Sequence, residues 1–378
     1  MVKRLALAAA GGFASSLAMP REDLWPLIFV SVAALTLSVR NLKFWSSLSV
    51  GFVGGMAFYL SQIEWLTLYL GPIPWLALST LEAVIFAIGL ALLSLVWRWL
   101  DGRQLGRFGS LLIAAALASI WTAREWVSIT LPYGGFPWSR LAQTQSNSYL
   151  SKWVFVGGLG WLTFVIAFIS IAVLLMFLNR ETKLAKSALG AIIALFLAAP
   201  IAITPSADAE AGSYRIAAVQ GNANAGLFAN TKRGEVLQNH IDATGEMLKD
   251  PKSEDLDVLV WPENASDLSP FSDARTYQDL QELVNDKYHV PLIFGTITAR
   301  GDKVYNSSIL WTPGLGPTDW YDKKRPVPFA EYVPDREFWE KVSPLVSLIN
   351  HAYEFGTRDG IFEVAGKKLG VLICFEVA

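Results

Sequence analysis

Hydrophobic positions along this chain follow two regimes. Between residues 5 and 203 apolar residues form long runs with charges confined to the gaps, whereas residues 206 to 378 mix both. A bilayer core of about 30 Å needs roughly 20 apolar residues as a helix. Seven stretches approach that length: 5–20, 24–39, 46–62, 73–97, 109–128, 153–178 and 187–204. The first two are short and are joined by the polar Pro20-Arg21-Glu22-Asp23. The basic start Met1-Val2-Lys3-Arg4 could open a secretory signal, but six further spans argue that the first helix is retained. The pattern therefore predicts a transmembrane domain over 1–205 and a second domain over 206–378.

Lys and Arg in short loops are retained on the cytoplasmic side. With the N-terminus inside, the inner loops hold Lys3, Arg4, Arg40, Lys43, Arg98, Arg103, Arg107, Arg180, Lys183 and Lys186. The outer loops then hold only Arg21, Arg124, Arg140 and Lys152. An odd number of spans puts residues 206–378 on the outer face. That side has no ATP or acyl-CoA supply, and its abundant acyl donors are the lipids themselves. Glu82 falls inside the fourth span, where a carboxylate is expensive and faces a bundle interior or cavity; pairing within the bundle is the plainer reading. The loop YGGFPWSRLAQ, 133–143, has Gly and Pro to break helix and aromatics suited to the interface, and by itself could be only a belt anchor.

The second domain reads as mixed α/β. Strands are predicted over YRIAAVQ (214–220), DVLVWPE (257–263), PLIFGTIT (291–298), NSSILWT (306–312) and KKLGVLICFE (367–376). Residues 231–249 have helix-compatible spacing through Val236, Ile241 and Met247. In FWEKVSPLVSLIN, 338–350, Trp339, Val342, Leu345, Val346 and Ile349 share a helical face, which predicts either a lid dipping into lipid or a face packed on the domain's own sheet.

Composition agrees with a chain partly in lipid: 53% of residues are hydrophobic and only 17% charged. A net charge of -2 and the absence of a Lys- or Arg-rich tract give no reason to expect nucleic acid. A single cysteine, Cys374, excludes an intrachain disulfide framework and multi-cysteine metal sites, and His240, His289 and His351 show no ligand spacing. Neither a metal nor a cofactor is expected.

Three predicted strand ends carry groups that make chemical sense together: Glu263 after LVWP, Lys323 in YDKKRPVPFAEYVP and Cys374 after GVLI. A thiol attacks as thiolate, and its free pKa is about 8.5, so a base or a positive neighbour must help it. Glu263 could take the proton, and a fixed Lys323 ammonium could stabilise the oxyanion that acyl transfer builds. Each residue also has a plainer reading. A Cys in an apolar strand is most often a small buried hydrophobe. Glu263 could cap a helix. Lys323, beside Lys324 and Arg325, could belong to a solvated face or meet anionic head groups.

Joint occurrence changes the weighing. WPE, then about sixty residues on YxKxxxVPFxEYVP, then some fifty further GVxICFE, resembles the nitrilase superfamily, whose members use Glu, Lys and Cys in that chain order. A multi-span amino-terminal region joined to such a domain resembles one branch, the apolipoprotein N-acyltransferases of bacterial envelopes. GFPW at 135–138 and VQGN at 219–222 are also similar to that branch. The resemblance covers essentially the whole chain. It implies an αββα sandwich, with Glu263 as general base, Lys323 as oxyanion-stabilising cation and Cys374 as nucleophile. Glu331 matches a supporting glutamate, Glu376 a further functionally important acid, and Asn306 an asparagine near the site. It also implies a ping-pong reaction in the cytoplasmic (inner) membrane. Cys374 takes an acyl chain from a phospholipid as a thioester, then passes it to the α-amino group of an S-diacylglyceryl cysteine on an apolipoprotein. A membrane monomer is expected.

Departures from the family pattern accompany the match. Phe375 stands where a tyrosine is usual, Ala330 where Gly is commoner, and only Phe228 follows VQGN where the family often has tryptophan. In the family, more strands and helices and a final span follow the nucleophile, so the resemblance implies a truncated domain and doubtful activity for residues 1–378 alone. The other readings are a membrane-tethered amidase, which would not require seven spans, and a lipid-binding protein with a decayed catalytic domain. A transporter is weaker, because only Glu82 offers an intramembrane charge in the interior of a predicted span.

Overall fold

The computed structural model describes residues 1–378 except 104, 179–182, 206–211, 225–231, 251–252, 254, 350–351 and 378, with the side chains of 69, 70, 107, 345, 348 and 377 also left aside. Arg180, Phe228 and His351 therefore lie outside the described residues, as do the side chains of Arg107 and Leu345. The chain divides into two compact units, Met1–Ala207 and Asp208–Ala378.

The first unit is helical: α1 Val2–Leu17, α2 Leu27–Val39, α3 Phe44–Gln62, the single turn α4 Thr67–Leu70, α5 Pro72–Asp101, α6 Gly109–Ser128, α7 Val154–Leu178 and α8 Lys183–Ala202. Pro72–Asp101, the run Tyr149–Leu178 and Lys183–Ala202 are long and apolar enough to cross a membrane. Only 17% of the apolar window of α8 is buried within the unit, an uncovered surface that a water-soluble protein rarely tolerates. Between helices in lipid there is little hydrophobic drive, so close backbone approach and hydrogen bonds do the holding. Accordingly a Cβ on Gly12 of α1 would collide with the Gly54 carbonyl of α3. Ser15 of α1 bonds Ser31 of α2, and Ser94 of α5 donates to Val39 O at 2.7 Å.

The interior of this unit holds more charge than the spans suggest. Besides Glu82 (1% exposed), Arg124 and Glu125 are buried. Arg124 lies in α6 and not in an outer loop, so it leaves the loop-charge comparison. Its guanidinium sits 4.7 Å from the centroid of the Phe86 ring and 5.2 Å from that of Trp121. Glu125 accepts from Leu141 N–H (2.7 Å) and Thr163 Oγ1 (2.7 Å), with Arg124 at 3.5 Å and Arg140 at 3.9 Å. Glu82 accepts from Ser128 Oγ at 2.6 Å. The 133–143 loop is thus fastened to α6 from inside by Glu125 and at its end by Phe136 N–H on Ser128 O, 2.8 Å. Its Trp138 donates to Gln62 O at 3.2 Å and packs on Trp65, centroids 5.5 Å apart.

The second unit is built on a five-stranded sheet in the order β1 (Ile216–Ala218), β2 (Val258–Val260), β3 (Leu292–Arg300), β4 (Lys303–Thr312), β5 (Gly316–Asp322). The first three strands are parallel and the last two add antiparallel. The parallel links are made through α9 (Glu235–Met247) and α10 (Ala274–Gln281). Alternation along the strands feeds two cores, as a period of two requires for a sheet covered on both faces. Leu259, Leu292, Phe294, Ile309 and Trp311 join Leu237 and Leu280 on the helical side. Val258, Ile293 and Leu310 meet Tyr321, Phe362, Val364 and Ile373 on the other, where β6 (Ile361–Val364) and β7 (Lys367–Gly370) form a hairpin. This layering is the α/β arrangement expected of a nitrilase-like domain.

Two sequence expectations change. The strand predicted over 367–376 stops at Gly370, and Cys374–Val377 forms a 3-10 turn. The segment 338–350 is not one amphipathic helix: α11 (Arg336–Val342) ends at Ser343, whose extended backbone (φ -146°) precedes the separate turn Pro344–Leu348. A residue before proline is pushed out of the helical region, so Val342 stays exposed while Val346 is buried.

Candidate active site

Strand ends at one end of the sheet supply Glu263 and Lys323. Glu263 follows β2, where Trp261 N–H pairs with Ile293 O (2.8 Å) and Gly295 N–H with Pro262 O (3.2 Å). Strand β3 passes so close that a Cβ on Gly295 would lie 2.6 Å from Glu263 Cα and 2.6 Å from Asn264 N. Only glycine fits there. Lys323 follows β5, its N–H held on Asn306 O of β4 at 2.9 Å. Glu331 lies in the VPFAEY turn, which closes on itself: Glu331 N–H bonds Val327 O (2.9 Å) while its Oε2 accepts from Val327 N–H (2.6 Å).

These elements converge on a buried ammonium. Lys323 is 1% exposed, and its Nζ lies 3.0 Å from Glu263 Oε1 and 2.9 Å from Glu331 Oε2. Asn306, itself buried, closes the ring by donating Nδ2 to Glu263 Oε1 (2.6 Å) and Glu331 Oε1 (2.7 Å). Two carboxylates are held together here by one cation and one amide, and the group carries a net negative charge. Burial opposes the Lys323 charge, but the two carboxylates more than offset it and raise its pKa, so the lysine stays protonated.

Cys374 completes the cluster. Its backbone has φ +49°, in the left-handed region, where the chain turns sharply after β7. The residue is exposed, and the charges that act most on its thiol are those of Glu263 and Lys323. Partial burial pushes the thiol pKa up first, the Glu263 charge adds to it, and Lys323 opposes. The resting thiol therefore keeps its proton near neutral pH. Glu376 sits one step back, on backbone N–H groups, and Phe375 is half-buried in the same turn.

Residues matching two family models cover most of the chain: the apolipoprotein N-acyltransferase N-terminal domain over 11–172 and carbon-nitrogen hydrolase over 215–378. The chain belongs to the apolipoprotein N-acyltransferase family of the nitrilase superfamily. Proteins named apolipoprotein N-acyltransferase from Mycolicibacterium smegmatis, Azotobacter vinelandii and Pseudomonas syringae pv. tomato are 28%, 28% and 29% identical to it. The matches take in 99%, 98% and 98% of this chain and 66%, 72% and 74% of those relatives. Membership of the N-acyltransferase family accounts for both units at once, since neither an apolar bundle nor a nitrilase-like sheet alone matches both models.

Sequence reasoning missed Tyr353. Its hydroxyl is pushed above the usual tyrosine range by burial and then by the charges of Glu331 and Glu263, against Lys323, so it keeps its proton beside the carboxylates. The HAYEFG motif carries no pattern that announces this; the Tyr353 N–H on Glu331 O (2.9 Å) brings it there. Also missed were Arg124 and Glu125, whose position next to the end of an apolar run reads as interfacial.

Proposed function

We propose that this protein is a membrane-bound N-acyltransferase that moves a fatty acyl chain from a phospholipid, through a thioester on Cys374, to the α-amino group of the S-diacylglyceryl cysteine of apolipoproteins. The observation that carries the reading is the 1% exposed Lys323 ammonium held 3.0 Å from Glu263 and 2.9 Å from Glu331, with the charges of all three acting on the Cys374 thiol. Glu263 takes the thiol proton as sulfur attacks the ester carbonyl. The oxyanion forms near the Lys323 ammonium, worth far more in a dry site than in water. Collapse expels the lysophospholipid alkoxide, which recovers the proton from Glu263. In the second half-reaction the acceptor amine attacks the thioester, Glu263 takes its proton, and the thiolate leaves and is reprotonated. Both substrates are lipid-anchored, which gives the apolar helices their purpose. In this reading the helices span a cytoplasmic membrane about seven times, and residues 206–378 lie on its outer face as part of a monomer.

The test supplies phospholipid with a labelled acyl chain, and no acceptor, to the protein in membranes. Hydroxylamine-sensitive label on Cys374, lost in Cys374→Ser, is expected in intact-protein mass spectra. A folded protein that takes no label would overturn the acyltransferase reading in favour of a lipid-binding one.

A further inference from the structure

The Glu376 carboxylate is two residues beyond Cys374, yet its described partners are elsewhere. Its Oε1 accepts from the Tyr321 hydroxyl (2.7 Å), Lys324 N–H (2.6 Å) and Arg325 N–H (3.2 Å). Its Oε2 accepts from Ile373 N–H (2.9 Å), and Glu376 N–H returns to Ile373 O at 3.2 Å. Two of the donors are the peptides that follow Lys323, and one is the residue that precedes Cys374. A single carboxylate therefore ties the loop that carries the ammonium to the turn that carries the thiol. The left-handed backbone of Cys374 is a conformation that a non-glycine residue keeps only when its surroundings over-determine it, and this set of contacts does so.

We propose that Glu376 is a positioning residue, a clamp that sets the distance between the Cys374 sulfur and the Lys323 ammonium and takes no part in proton transfer. Its oxygens are already occupied by four donors. Tyr321 keeps its proton well above the usual tyrosine range, first through burial and then through the Glu376 acceptor, so it remains a donor. The charges that act on the thiol are those of Glu263, Lys323 and Glu331. The Lys324 side chain is turned to Asp359, 2.6 Å away.

The assignment rests on Cys374 being acylated, and two readouts keep the claims separate. In Glu376→Gln an amide must face at least one donor with its own N–H. Displacing reacting groups by about 1 Å costs on the order of 100-fold, so Cys374 acylation by labelled phospholipid vesicles should slow by roughly that factor. Tyr321→Phe, which removes one contact, should slow it less. The pH midpoint of Cys374 alkylation by iodoacetamide should stay where it is in both variants, while hydrogen exchange over residues 371–377 speeds up. A midpoint displaced by a unit or more would make Glu376 a titrating partner of the thiol and overturn the clamp. So would unchanged acylation, or unchanged exchange, in Glu376→Gln. If the parent protein takes no acyl label at all, the acyltransferase reading fails, and exchange with alkylation still decides the clamp.

Discussion

At the scale of single residues, the net negative cluster around Lys323 is the feature with most consequence. Cys374 is raised by burial and by Glu263, so its alkylation midpoint should lie above the free-thiol value of about 8.5. Glu263→Gln removes a charge that raises the thiol pKa, so the alkylation midpoint should fall while phospholipid-derived label disappears. Rate-versus-pH curves with iodoacetamide check this, and a midpoint that rises would contradict the assignment. Asn306 holds two carboxylates by donating to both. Asn306→Ala should cost about 1–3 kcal/mol, the usual cost of leaving buried polar groups unpaired, measurable by denaturant titration.

At the scale of elements, close approach decides more than propensity. Gly295 lets β3 run against the Glu263 segment, and a methyl group there must push the backbone that carries Glu263. Gly295→Ala should destabilise by about 1–3 kcal/mol and reduce Cys374 acylation without touching substrate; a parent-like variant would show that the strand yields. In the helical unit, Glu125 is the internal fastening of the 133–143 loop. Breaking a buried ion pair by removing one partner costs roughly 3–5 kcal/mol, so Glu125→Ala should lower thermal stability in detergent and speed tryptic cleavage at Arg140. Equal cleavage rates would show that the aromatic contacts of Trp138 suffice to hold the loop.

For the whole molecule, one cysteine in 378 residues makes a topology reporter. Cys374 is exposed, and the inside-positive loops predict that it lies outside. A membrane-impermeant maleimide should label it in intact cells before lysis. Labelling only after the membrane is opened would reverse the orientation and remove the argument that lipids are the acyl donors.

The sequence by itself determined what depends on local partition. Long apolar runs have one low-energy home, so the helices fall close to the predicted stretches. The short apolar runs within 291–298 and 306–312 yield β3 and β4, whose residues are buried on both faces. The ordered motifs were enough for family membership. Strands β5 and β6 were less legible: β5 carries polar residues on its outer face, and β6 is only four residues long. Tertiary structure decided everything that needs partners from distant segments. It shortened the last predicted strand into a tight turn, in which Glu376 accepts from Ile373 N–H of the turn and from Lys324 and Arg325 N–H of a distant loop. It buried Arg124 and Glu125, whose cost in an apolar surrounding is met by partners from other segments, Tyr59, Phe86, Arg140, Leu141 and Thr163 among them. It drew Asn306, Glu331 and Tyr353 around Lys323. Hydrophobic periodicity is written in neighbouring residues, whereas satisfaction of a buried charge is settled only when strands far apart in sequence meet.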